Sequence, residues 1–440
     1  MCPAPSGSLI GRRRARVHLR RTTLGIAVVV AVVLAAALLI AAAGPSPPTI
    51  ERIPELAVRE PAFVATLEAQ LGTPAVGGNR VELLLNGDQI FPALLAAVRS
   101  AHSSIEYAQY FWADGTVAHE LADALAERAR AGVRVDVLLD GVGTLHMPHA
   151  QVETLRRSGC HVEWFRPLAR LSIRRHNNRN HRRILVVDGR VGITGGSGIS
   201  DKWTGDGRHD DHWRDTDVRI EGPAVTWLQA AFVENWRVAT GELLGGQEHG
   251  AAGRQTPGHV RVQVVRSSPA GGSYAAYTMT LLAFASARRS ILMTNPYFVL
   301  DDRMTEALES AARRGVRVVA LTPGKIDHAL VRAASRRDFG RLIESGVQIF
   351  EYQAALLHAK TLVVDGAWSS VGSTNLDNRS FALNDELNVA VYDAGMARQL
   401  EAVFENDLRH ARRVTYGDWE HRGLKTRLEE LLILPVRDLL

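Results

Sequence analysis

The sequence predicts an α/β protein of two homologous α/β/α halves related by a pseudo-twofold axis and preceded by one transmembrane helix. Three observations lead there. A long internal duplication runs through the chain, strand-like runs alternate with helical patterns inside each copy, and an unbroken apolar run of 20 residues, Leu24 to Ala43, stands near the N-terminus.

Residues 1–23 read as a basic cytoplasmic tail. Six arginines (Arg12, Arg13, Arg14, Arg16, Arg20 and Arg21) precede the apolar run, and no acid occurs before Glu51. The run, 24–44 with its closing glycine, matches the length of a membrane-crossing helix. Pro45, Pro47 and Pro48 stop it. The positive-inside rule then puts the tail in the cytoplasm and all that follows Gly44 outside, as a single-pass protein of the cell membrane. A signal peptide cleaved at Ala41-Ala42-Ala43 is the alternative. Residues 45–78 read as a proline-rich stalk with a short helical segment.

Apart from those six arginines, the chain carries 46 basic against 47 acidic residues. A near-neutral body is unlike a protein that coats nucleic acid, so no nucleic-acid partner is expected. Cys2 and Cys160 are the only cysteines, which leaves the body one thiol and no internal disulfide. Cys160 falls in an alternating apolar stretch and is expected in the core.

The first half is placed at 79–244, a glycine-rich linker at 245–258 and the second half at 259–420. Ser104-Ile105-Glu106-Tyr107 leads to Tyr110-Phe111, then a helical pattern from Val117 to Arg130, then the strand Gly132 to Leu139. Ser290-Ile291-Leu292-Met293 leads to Tyr297-Phe298, a helical pattern from Met304 to Arg313, and the strand Gly315 to Leu321. Ser158-Gly159-Cys160 corresponds to Ser345-Gly346-Val347. The offsets stay between 177 and 187 residues, a period of whole domains and not of a solenoid. At 421–440, Leu424, Leu428, Leu431 and Leu432 fall at helical spacing and predict an amphipathic helix, either docked on the body or lying on a membrane.

Inside the duplication, one signature recurs. His358-Ala-Lys360 is followed by Asp365 and by Gly372-Ser373-Thr374-Asn375; His181-Arg182-Arg183 is followed by Asp188 and by Gly195-Gly196. The histidines are 177 positions apart (358 − 181). Residues two apart on a strand share a face, which would set each histidine beside a cation, Arg183 or Lys360. Asp365-Gly366 predicts a turn. Gly195, Gly196, Gly372 and Ser373 would leave room for a phosphate and offer N–H groups, and Asn375 would donate from its amide. One imidazole can attack phosphorus and the other can protonate the leaving oxygen, with the cations holding the phosphoryl oxygens. That chemistry needs no metal and no cofactor. Neither a Gly-x-Ser-x-Gly elbow nor a P-loop is present.

These motifs resemble those of the phospholipase D superfamily, and more narrowly the bacterial cardiolipin synthases. The second motif matches at every position. Leu376 to Phe381, Asn384 to Asn388, Arg179 to Arg182, Trp213 to Thr216 and Ile220 to Ala224 are also similar to the synthases, and the similarity covers roughly residues 80–440. Two positions depart: Arg183 stands where the family has lysine, and Gly198 where it has asparagine. The resemblance implies two phospholipase D-like domains sharing one site, with His181 as nucleophile and His358 as acid. Acidic residues, Glu386 and in the first half Asp215, would orient the histidines. It also implies a phosphatidyl transfer between molecules of phosphatidylglycerol, an anionic phospholipid, at a membrane. Hydrolysis of a phospholipid, or of nucleic acid, is the alternative. A run of seven arginines between Arg166 and Arg183, among them Arg174, Arg175 and Arg179, would form a funnel for anionic head groups. His209-Asp210-Asp211-His212 reads as a polar turn rather than a metal site, and Trp203, Trp213 and Trp236 as core or rim aromatics.

Overall fold

The computed structural model describes residues 46–167, 177–245, 255–325 and 329–423, with Val29, Thr426, Arg427 and Glu430 besides. The apolar run at 24–44 (Val29 apart), the arginines Arg170, Arg174 and Arg175, most of the 245–258 linker and most of 421–440 lie outside them. Among the described residues no helix is long and apolar enough to cross a membrane.

Among the described residues, fifteen strands form one mixed sheet. The first half supplies β1 (Ala75–Leu85), β2 (Ser104–Gln109), β3 (Arg134–Asp140), β4 (His161–Phe165), β5 (Ile184–Val187), β6 (Val191–Gly195) and β7 (Thr216–Glu221). The second supplies β8 (Val260–Ser267), β9 (Ser290–Thr294), β10 (Arg317–Pro323), β11 (Gln348–Tyr352), β12 (Thr361–Val364), β13 (Trp368–Gly372), β14 (Glu386–Tyr392) and β15 (Ala411–Val414). The order is β15-β11-β10-β9-β12-β13-β14-β8-β1-β7-β6-β5-β2-β3-β4. Apart from β15 at one edge, it reads the same outward in both directions from the β1–β8 pair. The duplication in the sequence is thus a twofold arrangement in the sheet, and the halves are continuous through antiparallel β1 and β8. The sheet also folds over itself, because β6 touches β13 and β14 directly.

Helices cover both faces. Asn86–Arg99, Thr116–Arg130 and His149–Arg157 bury their apolar sides with Ile105, Val135 and Val162 in the core of the first half. Ala275–Ser286 and Asp302–Arg313 do the same over Ile291, Val318 and Ile349 in the second. The third cluster belongs to both halves: Val186, Val218 and Phe232 pack with Val264, Val363, Val389 and Leu400. Cys160 lies in the first core, where burial pushes its thiol up to about 12.

The segment read as a stalk is a correction. Ile50, Ile53 and Leu56 pack on the core of the second half, Val58 is buried there, and helix Pro61–Leu71 inserts Phe63 and Leu67. Arg303 fastens it by donating to the Ile50 and Glu51 carbonyls at 2.8 and 2.9 Å. The first strand then starts at Ala75. The proline-rich composition hid this docking, because spacing along the chain does not tell which distant core a short apolar face meets.

The Asp-Gly turns hold in both copies. Asp188-Gly189 and Asp365-Gly366 all have positive φ, 51° and 58° in one and 56° and 58° in the other, the central positions of β-turns closed by the Arg190 N–H on the Val187 carbonyl and the Ala367 N–H on that of Val364.

Candidate active site

The two histidines do not sit inside a ladder as the strand reading expected. His181 and His358 lie on the extended segments leading into β5 and β12. Each lead-in pairs with the other half: Asn180 bridges Asp385, and Leu357 bridges Arg214. The His181 N–H donates to the Asp385 carbonyl at 2.9 Å and the His358 N–H to the Arg214 carbonyl at 2.8 Å. The twofold brings these exchanges together, so one site is assembled from four segments of two halves.

The carboxylates cross as well. His181 Nδ1 lies 2.8 and 3.0 Å from the Glu386 oxygens. His358 Nδ1 lies 2.8 Å from Asp215 Oδ2. Each imidazole is therefore oriented by the carboxylate of the opposite half, and a carboxylate on Nδ1 directs Nε2 toward reaction. Arg183 Nη1 donates to the His181 carbonyl at 2.5 Å, and its guanidinium stands 5.5 Å from the Tyr110 ring. Lys360 Nζ donates to the His358 carbonyl at 2.6 Å and lies 2.9 and 3.0 Å from that ring's nitrogens. All six side chains are buried.

Burial and charge set the protonation states. Burial, then Arg183 and Lys360, hold the His181 imidazole well below its ordinary value. Burial and Lys360 press His358 down to about 4 against the pull of Asp215. The carboxylates differ. Burial raises both, yet His358, Lys360 and the Trp203 N–H outweigh it at Asp215 and keep that group well below the carboxylate range. At Glu386 burial wins and pushes the carboxyl up to about 7. A depressed His358 has a consequence for stability. The unfolded chain takes up this proton at about pH 6.5 and the folded one only near 4, so the His358 contribution is full above 6.5 and is lost as pH falls. Relative to His358→Gln, the native protein is expected to lose about 3 kcal/mol between pH 6.5 and 4; urea midpoints of both proteins across that range measure it.

Several candidates sit elsewhere. Asp188 and Asp365 close the far end of their strands. Asp188 accepts from the N–H groups of His102, Ser103 and Ser104, and Asp365 from those of Arg288, Arg289 and Ser290. They tie each hairpin to the start of β2 or β9. Asp365→Ala is expected to cost about 2–4 kcal/mol, three N–H groups losing a charged acceptor, with the His358 titration unmoved. The glycines stand where carboxylates and the neighbouring strand come close. A Cβ on Gly195 would collide with Asp217, on Gly196 with Asp215, and on Gly372 with Asn388. Nor is the Ser373 N–H open to a ligand, since it donates to the Leu387 carbonyl at 2.9 Å. The Ser373 hydroxyl donates to the Glu386 carboxylate. Asn375 is buried, and among the described residues its Oδ1 has no hydrogen-bond partner.

Of the described arginines in the run, Arg179, Arg182 and Arg183 are buried. Arg179 is buried, donates to the Arg166 carbonyl at 3.2 and 3.3 Å and pairs with Asp140 at 3.6 Å. Arg182 is enclosed and donates to the carbonyls of Glu386, Ala231 and Ser267. Both lock the lead-in to β5 in place. At 209–212, the histidine rings stand edge to face at 6.0 Å and Asp210 pairs with Lys325.

Sequence reasoning missed three aromatic neighbours. Tyr110 stands edge-on to His181 at 4.7 Å, Trp203 edge-on to His358 at 5.2 Å, and Trp213 tilts over His358 at 5.5 Å. The repeated Tyr-Phe pair, Tyr110-Phe111 and Tyr297-Phe298, was the signal available for the first.

Two imidazoles, each held by a carboxylate and flanked by a fixed cation on a twofold sheet, define the phospholipase D class of phosphodiester-transfer enzyme. The family model described as "Cardiolipin synthase, PLD-like domain" matches residues 94–236 and 281–408. A cardiolipin synthase of Geobacillus kaustophilus is 34% identical over 88% of this chain and 77% of its own length. Cardiolipin synthase A of Pseudomonas putida is 36% identical over 82% and 76%. Among solved structures, the phosphatidylserine synthase of Haemophilus influenzae Rd KW20 superposes with a TM-score of 0.64 over 86% of this chain and all of its own, at 15% identity, a likeness of fold. The chain belongs to the cardiolipin synthase family of phospholipase D-like enzymes and is a phosphatidyltransferase.

Proposed function

We infer that the enzyme moves a phosphatidyl group from one phosphatidylglycerol to another, releasing glycerol and forming cardiolipin. His181 Nε2 forms a bond to phosphorus as the bond to the glycerol oxygen breaks, and that oxygen takes a proton from His358. A hydroxyl of the second phosphatidylglycerol then gives its proton to His358 and attacks phosphorus, and the bond to His181 breaks. Lys360, Arg183 and Asn375 hold the phosphoryl oxygens.

The observation that carries the division of labour is the unequal pair of carboxylates. Asp215 stays ionised and supports an imidazolium at His358. Glu386, with its carboxyl raised, is the weaker counter-ion and leaves His181 neutral; in its ionised form it accepts the Nδ1–H and frees Nε2 to attack. The anionic diester offsets the Lys360 and Arg183 charges that depress His358, so the acid gains its proton when substrate arrives.

Mass spectrometry of products from purified protein and phosphatidylglycerol vesicles tests this reading. Cardiolipin with free glycerol is the expected result. Phosphatidic acid as the main product would assign hydrolysis instead. The reading extends to topology: the run at 24–44 anchors the body on the outer side of the membrane. Protease treatment of intact spheroplasts should then digest residues 80–440, and full protection would place the body inside.

A further inference from the structure

The two half-sites hold their carboxylates with different donors. In the second half, the Ser373 hydroxyl donates to Glu386. Gly195 and Gly372 occupy matching places, pairing with Asp217 and Asn388, so Gly196 corresponds to Ser373 and Gly198 to Asn375. The first half therefore has neither the hydroxyl nor the amide. Gly196 has no side chain to offer, and a Cβ there would collide with Asp215 Oδ1.

A tryptophan takes up the vacant room. Trp203 is buried, and its Nε1–H donates to Asp215 Oδ2 at 2.8 Å, the same oxygen that faces His358 Nδ1. Its ring stands at 88° to the His358 ring with centroids 5.2 Å apart. A Cβ on Gly198 would lie 2.9 and 3.0 Å from Trp203 Cη2 and Cζ3 and 3.2 Å from Phe111. The glycine at 198 is thus matched to the indole, and any side chain there would push on it. The indole is held from its other side by Trp213 at 4.2 Å. The charged groups around Asp215 are His358, Lys360, Arg183 and Asp217.

We propose that Trp203 is the positioning residue of the first half-site. Its N–H holds Asp215 in the way that Ser373 holds Glu386, and Asp215 in turn keeps His358 aligned for proton transfer. The glycine at 198, where the family has asparagine, and the indole of Trp203 that fills the room beside it then form one compensated exchange. The inference rests on the proton-transfer role proposed for His358.

Trp203→Phe keeps a ring and removes the donor. The expected result is a kcat about 10- to 100-fold lower, the scale of a lost hydrogen bond to a charged group, with KM for phosphatidylglycerol within about 2-fold. A carboxylate that loses a donor pulls harder on its imidazole, so the His358 titration followed by 15N NMR should move upward while that of His181 stays. A merely structural role would not move one histidine and spare the other. A folded Trp203→Phe protein with unchanged kcat and an unchanged His358 titration overturns the proposal. If that variant does not fold, Gly198→Ala, which presses a methyl on the indole, is read in the same way. Its silence in both measurements would overturn the proposal equally. A native protein without transferase activity would sink the proposed function, while the His358 titration still decides the role of Trp203.

Discussion

His181→Ala and His358→Ala are each expected to lower phosphatidyl transfer by about 10⁴-fold or more, because nucleophile and proton donor act as one unit. The two losses differ in kind. Without His181 no bond to phosphorus forms, and no labelled protein accumulates from a phosphatidylglycerol carrying labelled phosphorus. Without His358 the attack is slow, but the covalent species that does form lacks a base to activate its acceptor. Peptide mapping of reactions quenched and digested at alkaline pH, where an N–P bond survives, should find the label on His181. A label on His358 would exchange the two roles and contradict the reading of Asp215 as the stronger counter-ion. Their main-chain bonds remain, so both variants are expected to fold, with melting temperatures lowered because a buried carboxylate loses its partner; circular dichroism below the melt separates lost chemistry from lost fold.

Asp215→Asn is the second large effect. An amide in place of the carboxylate cannot stabilise an imidazolium and sets the wrong tautomer, which in a comparable carboxylate–histidine pair costs about 10⁴-fold in kcat. The crossed arrangement makes the prediction specific. Asp215 belongs to the first half, yet its hydrogen bond is to His358 of the second, 143 residues away. Glu386→Gln should instead disturb His181, 205 residues away. Histidine NMR separates the two: Asp215→Asn should shift His358 and Glu386→Gln should shift His181. Shifts confined within each half would show that the halves do not exchange carboxylates. Since burial holds Glu386 up to about 7 while Asp215 stays ionised, Glu386→Gln removes less charge at neutral pH, and its loss of kcat should be the smaller.

Much of the site was legible along the chain. His-x-Lys and His-x-Arg, the Asp-Gly turns and the Gly-Ser-x-Asn tail are local patterns whose meaning depends on only a few dihedral angles. A duplication is legible too, since equal sequences fold to equal units. Glu386 and Asp215 were reachable by resemblance alone, and nothing local told which histidine either would meet.

What the sequence did not disclose has one cause: a residue does not name its tertiary neighbours. Gly195, Gly196 and Gly372 were read as space for phosphate, and Asp217, Asp215 and Asn388 stand close beside them. Arg179 was read as a surface cation, yet it is spent on Arg166 and Asp140. The prolines at 45–48 suggested a free stalk, but Ile53, Leu56 and Val58 dock beyond them.

The sequence by itself determined the two-half α/β plan, the residues able to do phosphodiester chemistry and the family to which they belong, because these follow from periodicity, turn chemistry and motif spacing. Only the tertiary structure decided that the halves share one sheet through β1 and β8, that each carboxylate crosses to the other half's histidine, and that Trp203 stands beside the acid. The physical reason is that hydrogen bonds between residues 143 and 205 positions apart, and the burial that moves their protons, exist only once the twofold packing has closed.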